Sequence, residues 1–206
     1  MSADHEERDP WTWLTSRPVY DNPWITLTAH EVLTPAGQPG IYAIVHMKKQ
    51  AVGVLPIEDD GTVHLVGQWR PPLGAYSWEM PEGGAEPGED LEDCARRELE
   101  EEAGVVAGRL EKIAVMHLSN STTDETAHLY LATALRPGQT APDDTEVLKH
   151  RRAHFLDVLA EIVDGRISDA MTVAAVLRAH HMAVTGALPA GLARAMLAKP
   201  AAGPKD

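Results

Sequence analysis

The alternation of apolar and polar positions divides the 206-residue chain into β-rich and helical stretches. Trp24 to Val32 and Ile41 to His46 are rich in β-branched and aromatic residues, and the turn-rich TPAGQPG lies between them. Residues 11–46 therefore read as a β-hairpin or small β-layer. Ala51 to Ile57 and Thr62 to Trp69 flank Glu58-Asp59-Asp60-Gly61, and Asp-Gly between apolar runs predicts a hairpin. After a break at Pro71-Pro72 come a short apolar piece, Tyr76 to Met80, and a loop with Gly83, Gly84, Pro87 and Gly88. From about Glu89 to Ala103 the residues favour helix, with Gly104 placed as its C-terminal stop. Ile113 to Leu118 and Ala127 to Ala134 predict two further strands around the polar loop Ser119 to Thr126. Arg152 to Phe155 reads as a strand edge. Leu156 to Val163 and Asp169 to Met182 read as helices, the second with Ser168 as N-cap, and Leu192 to Ala198 as a short helix. Strands, helix, strands, helix is the order of a mixed α/β domain.

Composition narrows the class. The length suits one domain plus an appendage, and the 44% apolar content suits a packed globular chain. Lys plus Arg is 18 against 31 Asp plus Glu, a net charge of −13. Such a surface repels phosphate backbones, so nucleic acid is not the expected partner. A small anionic substrate stays compatible if cations or local arginines offset the charge. A single cysteine, Cys94, excludes an intramolecular disulfide and a multi-cysteine zinc site. No run approaches the roughly 18 apolar residues of a membrane helix, and the acidic N-terminus lacks a signal-peptide layout, so the expected location is cytoplasmic.

The acidic helix carries the candidate chemistry. Glu98 and Glu102 are four residues apart, Glu98 and Glu101 three, which sets their carboxylates on one helix face. Like charges at that spacing destabilise a helix by a few tenths of a kcal/mol per pair. A hard divalent cation compensates, and the preceding glycine-rich loop can bring carbonyl oxygens to the same ion. The competing reading is a solvated face paired with Arg96, Arg97 and Arg109.

The spacing decides between them. Gly83, five residues, Glu89, seven residues, then Arg97-Glu98-Leu99-Glu100-Glu101-Glu102-Ala103-Gly104-Val105 matches G-x5-E-x7-R-E-U-x-E-E-x-G-U, where U is apolar. A chance match is on the order of 10⁻⁹ per starting position at average residue usage. The segment resembles the signature of the Nudix hydrolases. The resemblance implies an α/β/α sandwich with a mixed sheet and a loop–helix–loop at the signature, plus here a small N-terminal β-layer. It also implies hydrolysis of a pyrophosphate bond joining a nucleoside diphosphate to another group. Carried over to matching positions, Glu98 and Glu102 become metal ligands, with the carbonyl of Glu82 as a backbone ligand and Glu101 a further candidate for catalysis. Gly83, Glu89, Arg97 and Gly104 become structural positions, with Arg97 and Glu89 joined by a salt bridge. The implied cofactor is Mg²⁺, with Mn²⁺ as the alternative, in two or three ions.

The flanks resemble the ADP-ribose pyrophosphatase subgroup. They run Gln68-Trp69-Arg70-Pro71-Pro72, Gly74-Ala75-Tyr76 and Trp78-Glu79-Met80-Pro81-Glu82-Gly83. The resemblance makes Arg70 a phosphate-binding residue, and a guanidinium suits that role because it forks onto phosphate oxygens. It places Glu79 near the metal and the terminal ribose. A later loop carboxylate is expected as general base, and Glu146 in Asp143-Asp144-Thr145-Glu146 is the choice. The loop Ser119 to Glu125 resembles one that skirts the substrate, and is equally readable as a plain connector. Homodimers are usual in the subgroup, with the N-terminal layer reaching over the partner towards the adenine. Trp11, Trp13 and Trp24 could stack on a base or serve as interface aromatics. The expected organisation is a tail and β-layer over 1–46, a Nudix domain over 47–185 and a weakly specified tail over 186–206.

The expected reaction is Mg²⁺-dependent cleavage of ADP-ribose to AMP and ribose 5-phosphate, or of the diphosphate of a related nucleoside diphosphate sugar. The alternatives are a GDP-mannose-type or housecleaning nucleotide pyrophosphatase, or a Nudix domain that binds ADP-ribose without cleaving it. His150 and His154, four apart on a loop and strand, have no third ligand spaced to make a zinc site. Cys94 falls on the apolar side of the acidic helix with Leu91 and Ala95 and reads as a buried small hydrophobe.

Overall fold

The computed structural model describes residues 8–141 and 147–198. Chain contacts divide it into two compact units, one comprising 1–49 and 117–125, the other 50–116 and 126–206.

The first unit is an antiparallel three-stranded sheet in the order β1 (Thr12–Asp21), β2 (Ile25–Leu33), β3 (Pro39–Met47). The sequence predicted its second and third strands. β1 was hidden by Pro18 and by register shifts between Trp13 and Thr15 and between Pro18 and Tyr20, which break its alternation. The 117–125 loop is tied to β3. The Val45 N–H donates to the Thr122 carbonyl, the Tyr42 hydroxyl donates to the Ser121 carbonyl at 2.8 Å, and Asp124 meets His46 and the Met47 N–H.

The second unit has two sheets. One is mixed, in the order β7 (Glu82–Gly84), β4 (Ala51–Pro56), β9 (Thr126–Pro137), β8 (Val105–His117), with β4 parallel to β9 and antiparallel to β7. The other is antiparallel, in the order β10 (Lys149–His154), β5 (Thr62–Arg70), β6 (Ala75–Glu79). β4 lies inside its sheet and buries both faces, which is why it reads as a continuous apolar run. Val52 and Val54 pack with Cys94, Ala95, Leu99 and Ala103 of α1 (Leu91–Ala103). The other side is covered by α3 (Ala170–Val184), whose Met171, Ala175, Val176 and Ala179 are buried. This is the α/β/α sandwich expected from the signature. α2 (Phe155–Val163) and α4 (Ala190–Leu197) pack beside α3.

Local differences have local causes. α1 starts at Leu91 because the Asp90 carboxylate accepts from the N–H groups of Glu92 and Asp93. The N-cap of α3 is Asp169, not Ser168, since the Asp169 carboxylate reaches the Thr172 N–H at 2.7 Å. β8 begins at Val105, eight residues before the predicted Ile113, because Gly104 turns the chain straight from helix into strand. Its φ of 64° lies in the left-handed region, and its N–H bonds the Glu100 carbonyl. His150 and His154 are each engaged by backbone: His150 Nε2 with the Glu102 carbonyl, His154 Nε2 with the Ala195 carbonyl and Nδ1 with the Leu156 N–H. Among the described residues no helix is long and apolar enough to cross a membrane.

Candidate active site

The site of the second unit is assembled from the end of β5, the β6–β7 connection and one face of α1. Its scaffold is the ionic clamp between loop and helix. Arg97 Nε and Nη2 donate to the two Glu89 oxygens at 2.9 and 3.1 Å, and Nη1 donates to Glu98 and Glu101 at 2.8 and 3.0 Å. The Arg97 bonds pull the Glu89 carboxyl down to about 2, helped by the Glu86 N–H. One guanidinium thus answers three carboxylates, and the like-charge cost anticipated for the helix face is offset inside the motif. Cys94 is fully buried beside this clamp, and burial pushes its thiol up to about 12, so it is inert.

The glycine at the head of the motif has a steric reason. A Cβ on Gly83 would collide with the Glu98 carboxylate, so only glycine lets that carboxylate lie against the loop backbone. The Glu102 side chain, 2% exposed, accepts from the Glu82 N–H at 2.9 Å. Two helix carboxylates and the 82–83 backbone are therefore in contact, and all the candidate donors are oxygens. Such a set fits a hard divalent cation rather than a soft one.

Arg70, at the end of β5, enters from the other side. Its Nε and Nη2 fork onto Glu79, the shortest contact being 2.5 Å, and Nη2 also donates to Glu82 at 2.9 Å. The Glu79 hydrogen bonds push the guanidinium further up from its already high range, so it stays charged. Glu79, Glu82 and Asp169 bring carboxylate oxygens within 4.8 Å of one another. Glu82 Oε2 is buried and has no hydrogen-bond partner among the described residues. Burial, then the charges of Asp169 and Glu79, push the Glu82 carboxyl well up.

The sequence-derived residues Arg70, Glu79, Glu82, Gly83, Glu89, Arg97, Glu98, Glu101, Glu102 and Gly104 all fall in this loop–helix neighbourhood. Glu146 lies outside the described residues. Asp169 was missed as a site residue. Its sequence signal was that of a helix start, and only the packing of α3 brings it to Glu82.

The first unit holds a separate feature. Trp11, Trp13, Tyr42, Ile44 and the loop Asn120–Asp124 line a cavity of about 270 Å³. Trp11 and Trp13 stand edge-on or tilted to Tyr42 at ring distances of 5.2 and 5.8 Å, and Trp13 Nε1 donates to Asp9. Trp24 is 66% exposed and not part of this wall.

The sandwich, the oxygen-donor motif and the Arg97 clamp together define a class, and comparison with known proteins agrees. Residues 47–178 match the NUDIX domain model, so the chain belongs to the Nudix family and is a Nudix hydrolase. Residues 11–45 match the nucleoside diphosphate sugar hydrolase N-terminal domain. An ADP-ribose pyrophosphatase of Bacillus subtilis (strain 168) is 33% identical over 153 residues, which are 74% of this chain and 77% of that protein. A methanol dehydrogenase activator of Bacillus methanolicus is 32% identical over 160 residues, 77% of this chain and 86% of that one. A solved structure of an ADP compounds hydrolase shares the fold at a TM-score of 0.77 and 22% identity, covering 86% of this chain and 97% of its own.

Proposed function

We propose that the protein hydrolyses the diphosphate of ADP-ribose to AMP and ribose 5-phosphate, with Mg²⁺ as cofactor and as a homodimer. The observation that carries this reading is the Arg70 guanidinium, forked onto Glu79 and Glu82 next to the loop that Glu102 grips. Glu98 and Glu102 through their carboxylates, and Glu82 through its carbonyl, would hold the cation. When bound, it supplies charge neutralisation at the diphosphate and makes a nearby water more acidic.

The remaining work falls to side chains. Arg70 exchanges its carboxylate partners for the diphosphate oxygens, whose bidentate geometry suits the same fork. Its release leaves Glu79 with an acceptor face for the hydroxyls of the terminal ribose. Glu101, half-buried on the same helix face as Glu98, or Glu146 takes the proton as water attacks one phosphorus. The P–O bond to the other phosphate breaks, and that phosphate leaves with the bridging oxygen. Exposed Trp13, Leu14, Val19 and Tyr20 along β1 support the homodimer.

The test is nucleoside monophosphate release (AMP, GMP or UMP according to the substrate) from a panel of ADP-ribose, GDP-mannose, UDP-glucose, NADH and a nucleoside triphosphate, each with Mg²⁺, with Mn²⁺ and with chelator. We expect metal-dependent cleavage of ADP-ribose above the others. Glu102→Gln should lower its rate by more than the roughly 10–100-fold usual for outer-shell changes at a metal site. Preference for another panel member moves the specificity, and full activity of Glu102→Gln removes the ligand assignment.

A further inference from the structure

The second unit contains a cavity of about 500 Å³ at the C-terminal end of α1 that the reaction above does not use. None of Arg70, Glu79, Glu82, Glu98, Glu101 and Glu102 lines it. Its charge is opposite to that of the chain. With 31 acidic against 18 basic residues overall, the described lining holds a single carboxylate, Glu58, beside His64, His150 and three arginines.

Strand register explains the convergence. β10 pairs antiparallel with β5 so that Arg152 lies opposite His64 and His150 opposite Val66. Side chains two apart on a strand share a face, so Arg152, His150 and His64 point to one side. Arg136 comes from the end of β9 to close the same space. Glu58 offsets part of this charge: it meets His64 Nε2 at 2.9 Å and lies 3.5 Å from Arg152. Arg151 is already engaged, bidentate with Glu161 and 4.7 Å over the Trp78 ring, so it is not counted. That leaves two guanidinium groups, Arg136 and Arg152, against one carboxylate, with two imidazoles beside them. Neither of those arginines donates a hydrogen bond to a described partner, and Arg136 has no ion-pair partner among the described residues.

We propose that this cleft is a second anion site, which binds a phosphate group: inorganic phosphate, or the phosphate of a phosphomonoester. Two forked donors match the oxygens of a dianion, and a cavity of this size admits phosphate with room for a small appended group.

The test is calorimetric titration of chelator-treated protein with inorganic phosphate, AMP and ribose 5-phosphate at low salt, with the histidine ring signals followed by NMR. We expect saturable one-to-one binding that shifts the His64 and His150 signals. The dissociation constant should rise about tenfold or more in Arg136→Gln/Arg152→Gln. Arg136→Lys/Arg152→Lys, which keeps the charge and loses the fork, should bind more weakly than wild type and more tightly than the double Gln variant, which separates lost charge from a damaged fold. Equal affinity for the three probes identifies a phosphate site, and tighter binding of AMP or ribose 5-phosphate a phosphomonoester site. Binding that does not saturate, or that survives in the double Gln variant and disappears in Arg70→Gln, overturns the proposal. No metal and no turnover enter the measurement, so its outcome is independent of the substrate panel.

Discussion

Strands β1 and β4 both carry apolar residues and end in opposite surroundings. All ten residues of β1 are exposed, whereas five of the six in β4 are buried. β4 is interior to its sheet, with α1 on one face and α3 on the other. β1 is the edge of a three-stranded sheet, and among the described residues its unit contains no helix to cover it. Three strands are near the minimum for a stable sheet, and they normally need one covered apolar face. The polar ties of the first unit, such as Thr15 to Glu31 and Lys48 to Asp21, are exposed and contribute little each. The contrast teaches that the two units differ in how they are held: the second by its own buried core, the first by its strand ladder and exposed polar ties, with β1 left uncovered.

The strongest way to break this comparison is a pair of truncations. Leu55→Ala, at a fully buried position of β4, should lower the unfolding free energy by about 2–5 kcal/mol. Leu14→Ala, 55% exposed in β1, should stay within about 0.5 kcal/mol at protein concentrations too low for association. Chemical denaturation of both variants checks this, and a core-sized loss at Leu14 would show that β1 is covered within the protomer. A milder intervention sharpens it. Leu14→Asp/Val19→Asp should shift the mass measured by light scattering from dimer to monomer, with Leu55 and its surroundings untouched. A wild-type protein that is monomeric at tens of micromolar sinks the homodimer reading.

The two units also differed in how much of them could be read. The loop–helix of the second unit was legible in the sequence, because a helix turn fixes the spacing of Glu98, Glu101 and Glu102 and one guanidinium, Arg97, joins Glu89, Glu98 and Glu101. The same holds for Gly83, whose missing side chain the Glu98 carboxylate requires. Long-range packing was not legible. Nothing in the sequence around Asp169 says that α3 carries it to Glu82, and nothing in His64, Arg136 and Arg152 says that β5, β9 and β10 converge on one cleft. β1 was missed for a third reason: an exposed edge strand has no buried face to impose alternation on its residues.

The smallest expected effect concerns charge rather than burial, and it tests whether the second unit depends on its core alone. Arg97 holds the Glu89 carboxyl at about 2, below its ordinary 4.5. A carboxyl depressed in the folded state binds fewer protons there than in the unfolded chain, so its contribution is complete above about 4.5. That contribution declines as pH falls and is lost as pH passes through about 2. Glu89→Gln should therefore melt below wild type at neutral pH, with the gap closing as pH falls through that window. Leu55→Ala should keep a nearly constant gap over the same range, since leucine does not titrate. Thermal melts of the three proteins from pH 7 downwards make the comparison. A Glu89→Gln gap that does not change with pH would mean that the loop is held by packing, as β4 is, and that the Arg97 clamp serves only to orient Glu98 and Glu101.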